Sequence, residues 1–209
     1  MKPKVRLNRR LSRPVIITFV LFLLIKGVDF VQENFLRNSQ AGQEYSLQGT
    51  VTRVADGDTF TLQTAKKRHT IRVASIDAPE TRGRDRPGQP YGQASKRLLQ
   101  ELIANKSLSL LCYEQDHYGR DVCDVPLPCN AHTQCEPTRD KERTTASRVL
   151  VKLGLAWANR EKQDKFLRDN HLLALQTQAK QQRRGLWQDK DPIAPWVWRY
   201  QCWRQKQCD

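Results

Sequence analysis

Three carboxylates and two arginines stand out in the first part of the chain by type and spacing. Asp58 follows the Asp56-Gly57 turn signal at the start of one strand-like segment, and Asp77 and Glu80 cluster in Ile-Asp-Ala-Pro-Glu (76–80) at the end of another. If those strands are neighbours, the carboxylates converge. Hard oxygen donors suit calcium, which takes roughly six to eight oxygens in relaxed geometry, backbone carbonyls and waters included. Arg72 precedes Asp77 on the same strand-like segment, and Arg120 ends the turn Asp-His-Tyr-Gly-Arg (116–120). Both guanidinium groups can fork onto phosphate oxygens, and both are expected to face solvent and substrate. Hydrolysing a phosphodiester needs a bound metal, a positioned water and cations against the charge that builds on the phosphoryl oxygens. This set of residues supplies all three. Alone, an Asp-Gly-Asp is usually a plain turn and a strand arginine a solvated one, so the weight lies in their joint occurrence. His69, His132 and His171 have no partner at metal-ligand spacing and read as surface or linker residues.

Between Tyr45 and Ser75, Val51, Val54, Phe60, Leu62, Ile71 and Val73 are spaced around two turn signals, Ala55–Asp58 and Thr64–Lys67, which predicts three strands. A Pro/Gly-rich loop, Arg82–Pro90, then leads into a helix over Tyr91–Ala104, with Ala94, Leu98, Leu99, Leu102 and Ile103 on one face. Leu108–Tyr113 and Arg120–Val125 read as two more strands, and Thr144–Trp157 and Phe166–Arg184 as two more helices, with Leu172, Leu173 and Leu175 in the core. The order predicts an α+β fold: a five-stranded barrel of the OB type with three packed helices, whose surface commonly receives nucleic acid or sugar chains.

The 36 Lys+Arg and 22 Asp+Glu give a net charge of +14. Residues 1–37 hold eight basic and two acidic side chains, so the remainder keeps 28 against 20, still a field that attracts a polyanion or an anionic lipid surface. Six basic side chains within residues 2–13 precede the uncharged run Val15–Ile25, the layout of an export signal. That run falls short of the roughly 20 residues needed to span a bilayer, unless it extends to Val31 with Lys26 and Asp29 near an interface. The small-x-small tripeptide Ser39 to Ala41 lies far from it, which favours an uncleaved anchor. All six cysteines come later, an even number that suits an oxidising compartment, and their spacing lacks the short knuckles of a zinc module. The expectation is an exported protein, anchored on the periplasmic side of the inner membrane or secreted.

Five blocks, in this order, resemble the staphylococcal nuclease family: Asp-Gly-Asp-Thr (56–59), Ile-Arg-Val-Ala-Ser-Ile-Asp-Ala-Pro-Glu (71–80), Tyr-Gly-Gln-Ala-Ser (91–95), Asp-His-Tyr-Gly-Arg (116–120) and Gly-Leu-Ala-Trp (154–157). The resemblance implies a calcium-dependent nuclease acting on DNA or RNA as a monomer. By matching position it implies calcium on Asp58, Asp77 and the backbone carbonyl of Ala78, Glu80 on the attacking water, and Arg72 and Arg120 on the scissile phosphate. Ala78 stands where the family prototype has threonine, and His117 where it has lysine. Asn159, Arg160 and Lys162 occupy the stretch where the prototype carries base-stacking tyrosines. His117, Tyr118 and Trp157 are the substitute contacts to phosphate and base. A catalytically weak nucleic-acid-binding module of the same fold is the alternative, and it would be expected to lack this carboxylate and arginine set.

The resulting organisation is a signal or anchor over 1–31, a linker over 32–45, the nuclease-like domain over 46–190 and a Trp- and Cys-rich tail over 191–209. An insertion at about 124–143 carries Cys129 and Cys135. Pairing as Cys112–Cys123, Cys129–Cys135 and Cys202–Cys208 is expected, the first across neighbouring antiparallel strands. Gly-Leu-Trp (185–187) and Pro-Trp-Val-Trp-Arg (195–199) resemble the ending of many bacterial nuclease-like proteins. Trp187, Trp196, Trp198 and Trp203 are expected to pack that tail over the flank of the barrel.

Overall fold

The computed structural model describes residues 44–127 and 144–208. The expected N-terminal anchor, His132 and the Cys129–Cys135 pair lie outside them. Strands β1 (Tyr45–Val54), β2 (Thr59–Gln63), β3 (Arg68–Val73), β5 (Ser107–Gln115) and β6 (Asp121–Asp124) close into a barrel in the order β1-β2-β3-β6-β5. Every neighbouring pair is antiparallel except β3 and β6. Alternation decides which side chains turn inward: Val51, Val54, Phe60, Leu62, Ile71, Val73, Leu108 and Leu110 are buried. Register shifts in β1 and β5 supply the bends that a small closed barrel requires. The short strand β4 (Ile76–Asp77) leaves the barrel and pairs with β7 (Trp157–Ala158), Asp77 opposite Trp157.

Helix α1 (Gly92–Ile103) buries Ser95, Leu99, Leu102 and Ile103 against the barrel, on the face expected from the sequence. Helix α2 (Ala146–Lys152) is shorter than the expected Thr144–Trp157. Gly154, at φ 66°, terminates it: Gly154 N–H donates to the Val151 carbonyl and Leu155 N–H to the Leu150 carbonyl, the paired bonds of a left-handed helix stop. Helix α3 (His171–Gln181) ends in the same way before the expected Arg184, but with Arg183 in the left-handed position instead of glycine. Leu172 is fully buried, while Leu173 and Leu175 are half-buried against the same core. Beyond them lie a short helix α4 (Pro195–Trp198) and a wider turn, Arg199–Arg204.

Cys112 and Cys123 face each other across β5 and β6 and are bridged, both fully buried, as expected. Closing so short a loop stabilises the fold by about 3 kcal/mol in the chain-entropy account. The expected Cys202–Cys208 bridge is also present.

His69 departs from the expectation of an unpartnered surface residue. Its Nδ1 lies 2.9 Å from Asp121 Oδ2, while the Tyr45 hydroxyl (2.6 Å) and Gln115 Nε2 (2.9 Å) donate to Asp121 Oδ1. Four strands thus converge on one buried carboxylate, a pattern that spacing along the chain does not reveal. Burial pushes the Asp121 carboxyl up, but these donors more than offset it and hold the group below the ordinary carboxylate range. A depressed folded-state value means stability that is present above the unfolded value of about 3.9 and lost as pH falls through the lower folded one. Asp121→Asn should therefore flatten the loss of melting temperature below pH ~4 that the parent shows. An equally steep acid loss in the variant would remove Asp121 from the account.

Candidate active site

Arg72 is the bridge of the site. Opposite Thr59 in the β2–β3 ladder, it donates from Nη1 to Asp58 Oδ1 (2.8 Å) and from Nη2 to Asp77 Oδ1 (2.7 Å). Asp58 is fixed further by the Ala78 N–H on Oδ2 (2.8 Å) and the Thr59 hydroxyl on Oδ1 (3.0 Å). The loop before β2 and the strand β4 are thereby tied together at their carboxylates. Arg72, expected to face solvent, is instead half-buried and engaged in these pairs, its side chain 16% exposed against 5% for Asp58 and 0% for Asp77. Desolvation is the reason: two buried carboxylates need a fixed cation, and Arg72, a strand arginine reaching across the barrel rim, serves both at once.

Glu80 sits just beyond β4. Its N–H donates to Gln89 Oε1 (3.3 Å) and its carbonyl accepts from the Gln89 N–H (2.8 Å). Gly92, the first residue of α1, passes so close that an added Cβ would overlap the Glu80 carbonyl. Burial pushes the Glu80 carboxyl up to about 7, with the negative charge of Asp58 adding to the rise and a hydrogen bond from Arg199 opposing it. Asp56 rises to about 7 for the same leading reason, burial, with the charge of Asp58 next. In Asp77 burial also acts upward, yet Arg72 and Arg199 outweigh it and hold the carboxyl low.

Arg120 leaves the turn between β5 and β6, held by Asp116 through Nε (2.7 Å) and Nη2 (2.6 Å). Its Nη1 reaches the Thr59 hydroxyl at 3.4 Å, and that hydroxyl donates to Asp58, so Arg120 borders the carboxylates without pairing to them. Tyr118 is 73% exposed, its ring 3.7 Å from that of His117 and under the Arg120 guanidinium at 5.3 Å. Trp157 is placed differently. Half-buried, it meets Trp187 at 4.4 Å and Trp196 at 5.8 Å edge to face, and it lines a shallow groove with Pro79, Tyr91 and Trp198.

Arg199 is the residue that sequence reasoning missed. Of the four tryptophans expected to pack, Trp187 and Trp198 are buried and Trp196 and Trp203 half-buried, and the tail also sends Arg199 between Asp77 (2.7 and 3.1 Å) and Glu80 (2.7 Å). The available signal is that this arginine closes Pro-Trp-Val-Trp-Arg (195–199), the segment that resembles the ending of many bacterial nuclease-like proteins; nothing in its spacing links it to Asp77 and Glu80, 122 and 119 positions away. The carboxylates accordingly converge on guanidinium groups, and among the described residues no three Asp, Glu, His or Cys side chains are gathered into a metal cage in this arrangement. As a donor set they still fit a hard divalent cation. Asp58, Asp77, Glu80 and the Ala78 carbonyl offer oxygen alone, and the cation already drawn onto Asp77 and Glu80 marks where positive charge is favoured.

Comparison with known proteins agrees with this geometry. Residues 70–189, which include Arg72, Asp77, Glu80 and Arg120, match the family described as Staphylococcal nuclease homologue. The chain is 33% identical over 154 residues to an uncharacterized endonuclease of Escherichia coli, covering 74% of this chain and 86% of that protein. It is 30% identical over 153 residues to the micrococcal nuclease of Shigella flexneri, covering 73% and 80%. A staphylococcal-like nuclease of Arabidopsis thaliana matches at 33% over 133 residues, covering 64% of this chain and 34% of the plant protein. A five-stranded barrel with buried carboxylates bridged by arginine at its rim, matched across this length, belongs to the staphylococcal nuclease family, and the chain is a nuclease that hydrolyses phosphodiester bonds of nucleic acid.

Proposed function

We propose that this nuclease depends on calcium, with Asp58, Asp77 and the Ala78 carbonyl holding the ion, Glu80 acting as general base, and Arg120 and Arg72 serving the scissile phosphate. The observation that carries the reading is the single Arg72 guanidinium shared by Asp58 and Asp77, which brings two buried carboxylates from separate segments to one place. Calcium bound there would supply a Lewis acid to a phosphoryl oxygen. Glu80, raised to about 7, is a stronger base at neutral pH than an ordinary carboxylate. It takes a proton from water as the oxygen bonds phosphorus, while the bond to the leaving sugar oxygen breaks and that oxygen gains a proton from solvent. Arg120 places its two-pronged donor set against the phosphoryl oxygens as their charge grows. Exposed Tyr118 offers a base-stacking surface that tolerates any sequence.

Export belongs to the same reading, supported by the basic-then-apolar N-terminus and by the Cys112–Cys123 and Cys202–Cys208 bridges. The metal dependence is tested with the purified chain on single-stranded DNA and on RNA. Chelator should reduce cleavage to background and added calcium should restore it. Unchanged cleavage in excess chelator would remove the metal from the mechanism.

A further inference from the structure

Asp77 is wholly buried, and its two oxygens receive three guanidinium contacts: Arg72 Nη2 (2.7 Å) and Arg199 Nη1 (3.1 Å) on Oδ1, Arg199 Nη2 (2.7 Å) on Oδ2. Arg199 Nη1 also donates to Glu80 Oε1 at 2.7 Å, and Glu161 Oε2 stands 4.0 Å from Nη2. One arginine from the tail therefore spans the expected metal ligand and the expected general base together. It does not arrive there by a loose surface contact. Trp198 on one side and Cys202 on the other are buried, the Cys202–Cys208 bridge closes the turn, and Trp203 Nε1 donates to the Pro87 carbonyl (3.1 Å). Gln89, whose side chain holds the Glu80 backbone, also donates to the Ile193 carbonyl, so the loop that carries Glu80 and the tail that carries Arg199 are joined at both ends.

The geometry points to Arg199 as an affinity-setting counter-ion of the active site: it occupies the expected metal ligand Asp77 and neutralises Glu80 beside it, so metal binding and the Arg199 contacts compete. The reason is lone-pair and charge accounting. A divalent ion on Asp77 needs an oxygen that now accepts from guanidinium groups, and it must approach a fixed like charge in a desolvated site, where such repulsion is little screened. Removing Arg199 frees Asp77 Oδ2 and Glu80 Oε1, while Asp77 Oδ1 still accepts from Arg72. It also leaves Asp77 with Arg72 alone and Glu80 without its cation, a buried excess of negative charge that destabilises the metal-free protein and favours a bound cation. The inference rests on the calcium reading above.

The test is direct calcium binding, by calorimetry on the purified full chain and without nucleic acid, comparing the parent with Arg199→Gln and Arg199→Lys. Arg199→Gln should bind calcium roughly tenfold or more tightly, within the usual range for two coupled ligands. Arg199→Lys, with charge but one prong, should fall between. In chelator Arg199→Gln should melt lower than the parent, and calcium should raise its melting temperature by more. Equal or weaker calcium binding by Arg199→Gln, with the parent binding normally, overturns the role of Arg199 and leaves the calcium reading standing. Absence of calcium binding in parent and variant alike overturns both. Hydrogen exchange on the parent needs no variant: amides in 195–204 should exchange faster once calcium is bound, and unchanged or slower exchange counts against displacement of Arg199.

Discussion

Arg120→Lys lowers turnover on single-stranded DNA by on the order of a thousandfold, while its melting temperature stays within a few degrees of the parent. A lysine keeps the charge but presents a single ammonium in place of a planar fork, so the transferring phosphoryl group loses one of two aligned donors as its charge develops. Folding is spared because Asp116 still caps its turn through the backbone N–H groups of Tyr118 (2.9 Å) and Arg120 (3.0 Å). Arg72→Lys behaves differently. One ammonium does not serve Asp58 and Asp77 as Arg72 does, and breaking a buried pair from one side costs about 3–5 kcal/mol, so this variant loses stability together with turnover. Steady-state rates and thermal melts on the two proteins separate the cases. Turnover of Arg120→Lys within tenfold of the parent would remove it from the phosphate site.

Glu80→Gln reduces kcat by roughly a hundred- to ten-thousandfold, the range typical of a lost general base. The amide is nearly isosteric and can keep the contact with Arg199, but it accepts no proton at neutral pH. Calcium affinity should fall only modestly, through loss of one nearby charge, since Asp58 and Asp77 remain as the direct ligands, whereas Asp58→Ala should weaken calcium binding more. Measuring turnover and calcium affinity separately distinguishes the base from the ligands. A Glu80→Gln enzyme that cuts nearly as fast as the parent would refute the assignment of Glu80.

Alternating apolar residues and turn signals were enough to order the strands and to anticipate the barrel, because inward side chains such as Phe60, Leu62 and Ile71 recur at the strand period and polar turns separate them. Cys112 and Cys123 were legible as a bridge once their strands were neighbours. The carboxylate and arginine types were legible too, since hard oxygen donors and paired guanidinium groups have few other uses at such density. Helix ends were not: α3 stops at Gln181 with Arg183, not glycine, in the left-handed position, a stop that depends on local hydrogen bonds the residue type does not announce. His69 gained its partner from β6, 52 positions away, through strand pairing alone.

The site divides in the same way. Residue identity determined that this chain carries the groups for phosphodiester hydrolysis, because chemistry resides in functional groups and those can be read one by one. Only the tertiary structure decided which charges meet. It tied Arg72 to Asp58 and Asp77, half-buried, where solvent exposure was expected, and left Arg120 at the rim beside Thr59. It also brought Arg199 from the tail onto Asp77 and Glu80. Buried charge must be paired wherever the chain can reach, and reach across the fold is set by packing, not by distance along the sequence.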